Sequence, residues 1–66
     1  MEITLNGVPT TLPGDATVGQ LLVQAGLAER RVAVEVEGAI VPRSAHPTHL
    51  LHPGDRVEIV HALGGG

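Results

Sequence analysis

The sequence predicts an α+β fold in which one helix lies across one face of a mixed β-sheet. Three observations carry that expectation. Apolar and polar residues alternate with a period of two near both ends of the chain and in its middle. One segment, from Thr17 to Gly26, repeats with the helical period and carries its own start and stop signals. A hairpin precedes that segment and further strands follow it, an order that sets a single helix against one sheet face.

The elements follow in turn. Ile3 and Leu5 alternate with Glu2 and Thr4 as a first strand. Asn6-Gly7 is a strong two-residue hairpin signal because both positions tolerate positive φ. Val8 to Leu12 returns as a second strand, and Pro9, which has no N–H to give a ladder, assigns it to an edge or a bulge. Pro13-Gly14-Asp15 is a turn. Thr17 and Gln20 have the spacing of a capping box at a helix start. Val18, Leu21, Leu22 and Ala25 form one apolar stripe, and Gly26 ends the helix. So short a helix is marginal in water and needs the sheet to hold it.

Val32, Val34 and Val36 alternate with Ala33, Glu35 and Glu37 in a half-buried strand that Gly38 breaks. Ala39-Ile40-Val41 is a short strand stopped by Pro42. Arg43 to His52 has no clear period and reads as a loop or a single helical turn. Pro53-Gly54-Asp55 turns the chain into a last strand that runs to about His61, with Val57 and Ile59 on the helix side beside Val34 and Leu5, and with Arg56, Glu58 and Val60 outward. The order strand, strand, helix, strand, short strand, strand is that of a β-grasp, with a mixed sheet of four to five strands. The expected division is a β-grasp domain over residues 1–62 and a flexible glycine tail over 63–66.

Composition narrows the function. The chain has 66 residues, no cysteine and no aromatic residue, so an aliphatic core must hold it without disulfides or thiolate metal sites. A net charge of −3 argues against nucleic acid, which demands clustered cations. The cations are Arg30, Arg31, Arg43 and Arg56, and with no lysine the chain cannot receive an isopeptide bond on its surface. No apolar run approaches the ~18 residues of a membrane span, and Glu2 stands where a secretory signal would carry cations. A cytoplasmic protein is expected.

Gly64-Gly65-Gly66 is the most informative segment. On composition alone it reads as a frayed end. Directly after the last strand of a β-grasp it has a second reading: a bare backbone enters a narrow channel where any Cβ would clash. From Ala62 to Gly66 an extended chain reaches ~15 Å. That is enough to deliver a carboxylate to a buried site, and a carboxylate joined to AMP would have a leaving group for a sulfur nucleophile. The absence of cysteine fits: if this chain carries sulfur, only the terminus can hold it.

These residues resemble the ThiS family of ubiquitin-like, thiamine-biosynthesis sulfur carriers. The resemblance covers essentially the whole chain. Its parts are Thr17-Val18 with Leu21-Leu22, Val32-Ala33-Val34 leading through Gly38 to Ile40-Val41-Pro42-Arg43, Pro53-Gly54-Asp55-Arg56-Val57-Glu58-Ile59-Val60, and the glycine end. The family's turn is often Asn-rich where this chain has Glu37-Gly38-Ala39. The resemblance implies a cycle in which a ThiF-type adenylyltransferase uses ATP to activate Gly66. A cysteine desulfurase relay supplies sulfur for the thiocarboxylate, and the thiazole synthase ThiG takes that sulfur into the thiazole ring. The carrier itself binds no cofactor and is a co-substrate, not an enzyme. Gly65 and Gly66 match the family's paired terminal glycines; Gly64 is additional.

Other readings stay open on the residues alone. The small subunit of molybdopterin synthase shares the fold, the tail and the chemistry, but commonly carries aromatic and proline residues before the glycines, where this chain has Val60-His61-Ala62-Leu63. Carriers for tRNA thiolation or cysteine synthesis are further alternatives, which the body of the domain and not the tail must decide. His46, His49 and His52 have i, i+3 spacing that could seat a metal on one helix, yet Pro47 and Pro53 interrupt such a helix and no metal site is assigned. A catalytic reading fails on inventory, since Ser44 and His46 in one loop do not make a triad. Val60, Ala62 and Leu63 are expected to form an apolar partner-binding patch at the exit of the last strand. Glu2, Glu35, Glu37 and Glu58 are read as a solvated face, with steering to a basic partner as the alternative.

Overall fold

The computed structural model describes residues 1–61. Its five strands are β1 (Glu2–Leu5), β2 (Val8–Thr11), β3 (Val32–Val36), β4 (Ala39–Val41) and β5 (Arg56–His61), with one helix, α1 (Val18–Gln24), and a 3₁₀ turn at Arg43–Ala45. The sheet order is β2-β1-β5-β3-β4. The last strand therefore occupies the centre, parallel to β1 and antiparallel to β3. This is the mixed sheet with one helix that the patterning predicts. The expected boundary between residues 62 and 63 lies outside the described residues.

Both hairpins turn on two residues with positive φ. Asn6 and Gly7 lie at +50° and +84°, and Glu37 and Gly38 at +51° and +83°. These are the dihedral signs whose twist matches flanking strands. Glutamate rarely adopts this conformation, and here it is compensated. Glu37 N–H donates to the Arg56 carbonyl at 2.9 Å, and its carboxylate accepts from Arg56 N–H.

Alternation sorts the sheet into two faces. Ile3, Val34, Val36, Val41, Val57 and Ile59 are buried under the helix, with Leu5 half-buried against them. Edge strand β2 carries Pro9, and the side-chain amide of Gln24 donates to the Thr11 carbonyl at 3.0 Å. The edge thus loses a donor and an acceptor that another chain's strand would need.

The helix is capped at both ends. Thr17 Oγ1 accepts from Gln20 N–H at 3.2 Å while Gln20 Oε1 accepts from Thr17 N–H at 2.8 Å, the reciprocal capping box. Val18 N–H and Gly19 N–H donate to the carbonyls of His49 and His46, at 2.9 and 2.8 Å. The stretch read as an irregular loop is thus a strap across the helix N-terminus. It is pinned further by the Thr17–Leu50 bridge and by Leu51 N–H on the Ala16 carbonyl at 3.0 Å. Gly19 lets the strap approach: a Cβ there would stand 3.2 Å from the His46 carbonyl oxygen.

At the other end Gly26 N–H reaches Val23 O and Leu27 N–H reaches Leu22 O, a Schellman closure around a glycine at φ +76°. The apolar stripe differs from expectation at one place. Ala25 is the C-cap and is exposed. Ala25 ends the helix, its N–H still bonded to Leu21 O at 2.9 Å, and Leu27, carried back by the Schellman turn, packs on the core instead.

Leu21 is fully buried with no aromatic neighbour to fill behind it. Leu21→Ala should cost about 3 kcal/mol, and Thr17→Ala about 1 kcal/mol through loss of the cap. Urea unfolding followed by circular dichroism would check that ranking, and equal losses would contradict it.

Candidate functional site

The alternation that buries Val57 and Ile59 sends Arg56, Glu58 and Val60 to the opposite, helix-free face. There a shallow groove runs along the β1–β5 seam. Thr4, Asn6 and Gly7 form one bank, and Arg56, Glu58 and Val60 the other. Val60, 60% exposed, contributes nothing to the core. Its neighbour across the ladder is Ala33 of β3, and Ile40 of β4 is the other large apolar side chain exposed on this face. Ala62 and Leu63, expected to extend the patch, and Gly64, Gly65 and Gly66 of the tail lie outside the described residues.

The charges on this face are arranged unfavourably for the isolated chain. Glu35 and Glu58 stand directly opposite each other on β3 and β5. Like charges in cross-strand register repel. Among the described residues no salt bridge reaches either glutamate, and the one close pairing of a histidine with a carboxylate is His52 with Asp55, at 3.9 Å in the turn into β5. Of the other two acidic residues read as a solvated face, Glu2 is exposed on β1, and Glu37 is engaged with the backbone of Arg56.

Asn6 is the residue whose second role the sequence did not reveal. Besides making the turn, its side-chain Oδ1 accepts from Ile59 N–H at 2.8 Å and its Nδ2 donates to Ile59 O at 3.2 Å. Turn propensity already accounts for an asparagine before glycine, so no local pattern marks this contact between residues 53 apart.

The histidines do not converge. His46 is buried with Nε2 3.1 Å from the Val41 carbonyl, His52 is exposed, and His61 closes β5. Among the described residues no group of three or more His, Cys, Asp or Glu side chains is gathered for a metal. Ser44 lies exposed in the 3₁₀ turn and His46 faces the core. Among the described residues no helix is long and apolar enough to cross a membrane.

The family model described as "ThiS family" matches residues 3–66. The chain belongs to the ThiS family. The crystal structure of the thiamine biosynthesis protein ThiS from Geobacter metallireducens superposes with a TM-score of 0.85 at 33% identity, each chain covered in full. A solution structure of a thiamine biosynthesis protein from the same organism gives 0.77 at 35% identity, covering all of this chain and 88% of that one. Two proteins named thiazole synthase, from Magnetococcus marinus and Paramagnetospirillum magneticum, are 39% and 38% identical over all 66 residues. This chain spans about a fifth of the length of those two relatives, matching 20% of each.

Relieving the Glu35–Glu58 opposition should stabilise the domain. Glu58→Gln is expected to add about 0.3 kcal/mol at low salt, and less as salt screens the pair. Thermal unfolding at two ionic strengths checks this; a loss of stability would mean that Glu58 has a favourable partner in the folded chain.

Proposed function

We propose that this chain is a sulfur carrier of thiamine biosynthesis, acting as a protein co-substrate whose reactive group is the Gly66 carboxylate. The observation that carries the reading is the ThiS-family match across residues 3–66, which takes in the β-grasp domain and the glycines together.

The chemistry follows from what a carboxylate needs. It is a poor electrophile, so a carboxylate oxygen of Gly66 first attacks the α-phosphorus of ATP on a ThiF-type adenylyltransferase, and pyrophosphate leaves. A sulfur nucleophile then attacks the acyl carbon and AMP leaves: hydrosulfide gives the thiocarboxylate directly, whereas a persulfide from a cysteine desulfurase relay gives an acyl disulfide, from which a second thiol releases the thiocarboxylate as the two thiol sulfurs join in a disulfide. A thiazole synthase of the ThiG type accepts the sulfur. ATP belongs to the activating partner, and the carrier contributes no catalytic side chain. Likeness to a stretch of two thiazole synthases supports a working association with that enzyme.

The domain's part is presentation. β5, central in the sheet, carries the chain outward, and the helix-free face with Val60 and Ile40 offers an apolar surface for a partner of transient contact. Ala62 and Leu63 are assigned to the same contact.

Incubation with ATP, magnesium, sulfide and a ThiF-type enzyme proven on another carrier should raise the intact mass by the exchange of one oxygen for sulfur. Deletion of Gly66 should abolish the gain, and a parent chain whose mass does not change would overturn the reading. Val60→Asp should lower kcat/KM for activation about tenfold while the unfolding midpoint stays put, because an exposed site contributes to a partner's contact and little to stability. Unchanged activation of that variant would remove the apolar patch from the docking surface.

A further inference from the structure

We infer that Asn6 is a positioning residue for the carrier terminus: its side-chain amide continues the β1–β5 ladder after β1 has turned away and fixes the end of β5 from which the tail departs. This rests on the carrier reading given above.

The backbone contacts define the gap that Asn6 fills. β1 and β5 pair in parallel with Thr4 opposite Arg56 and Leu5 opposite Val57. Along this seam Thr4 N–H donates to Asp55 O at 3.0 Å and Asn6 N–H donates to Val57 O at 2.9 Å. The next step of a parallel ladder would need a carbonyl to receive Ile59 N–H and a donor for Ile59 O. β1 cannot supply them, because Asn6 at φ +50° already takes the chain into the hairpin turn. The carboxamide has the same donor and acceptor as a peptide group, and it meets both needs, at 2.8 and 3.2 Å.

The consequence falls on the residues that follow. β3 holds β5 from the other side as far as the Val32–His61 pair. With Asn6 in place, β5 is bonded on both sides to within two residues of His61; without it, the β1 side would end at Val57. Only four residues separate His61 from Gly66. A slip of a single residue moves the chain by ~3.3 Å, whereas a misplacement of about 1 Å at reacting atoms can cost two orders of magnitude in rate. The clamp thus acts on the turnover of the bound complex more than on its formation.

The test compares full-length variants at a temperature where all are folded. Asn6→Gly keeps the positive-φ turn and removes the carboxamide. Asn6→Asp keeps an acceptor for Ile59 N–H and removes the donor for Ile59 O. Val41→Ala destabilises β4, which pairs with neither β1 nor β5, and serves as the control. With a proven activating enzyme, ATP and sulfide, Asn6→Gly should lose about tenfold in kcat for thiocarboxylate formation with KM changed by less than about twofold. Asn6→Asp should fall between it and the parent, and Val41→Ala should keep the parental kcat. Amide hydrogen exchange should accelerate in Asn6→Gly at Ile59, Val60 and His61 while the rest of the sheet keeps its pattern.

Parental kcat in Asn6→Gly would overturn the positioning role, and unchanged exchange at Ile59 would overturn the clamp itself. If the parent is not activated at all, the carrier reading fails and the positioning role falls with it. The exchange measurement still decides whether Asn6 holds the end of β5.

Discussion

The structure depends on a short parallel contact between the two strands most distant in sequence. β1 and β5 share only two register pairs, yet this contact closes the sheet, because β2 reaches the rest of it through β1 and β4 through β3. Loop closure over some fifty residues opposes such a pairing, and it is rewarded only after the intervening chain has packed. The contact is correspondingly reinforced. Backbone bonds from Thr4 and Asn6 continue past the paired residues, Gly54 N–H ties the incoming turn to Glu2 O at 2.7 Å, and the Asn6 amide adds two further bonds. The hairpin residue thus stabilises both its own turn and the junction of the two halves of the sheet.

Around that junction the core is aliphatic and small. With no aromatic ring to span the layer, closeness must come from the backbone, and the strap of residues 45–51 supplies it. Its carbonyls take the first two N–H groups of α1, and Gly19 offers no Cβ to hold it off. Because the helix is only seven residues long, little of its stability is its own. The capping box, the strap and the Schellman turn together convert one marginal segment into a fixed lid on Val34, Val57 and Ile59.

Local chemistry was legible in the sequence and long-range chemistry was not. Asn6-Gly7, Thr17 with Gln20, Gly26, and the alternation of β3 and β5 each declare themselves within a few residues, because turns, caps and pleats are local constraints. The order of elements then named the β-grasp. Ala25 misled because the period runs to the last position of the helix, where the turn around Gly26 brings Leu27 onto the core in its place. The strap escaped notice because its carbonyls, not its side chains, do the binding. Of the candidate site, Val60 and its outward direction followed from parity alone. The opposition of Glu35 and Glu58 needed the β3–β5 register, and the Asn6–Ile59 contact needed the parallel pairing. Glu37 was read as one more surface charge, whereas its unusual backbone and its bond to Arg56 N–H make it part of the entry to β5.

The central place of β5 has a mechanical side. A strand at a sheet edge can be peeled by its end, one bond after another, under little force. β5 is flanked on both sides, and its C-terminal end points along its ladders. A pull on that end therefore loads the bonds to β1 and β3 in shear, so that many must yield together. A partner that grips the chain beyond His61 can draw on it firmly while the domain behind it keeps its shape.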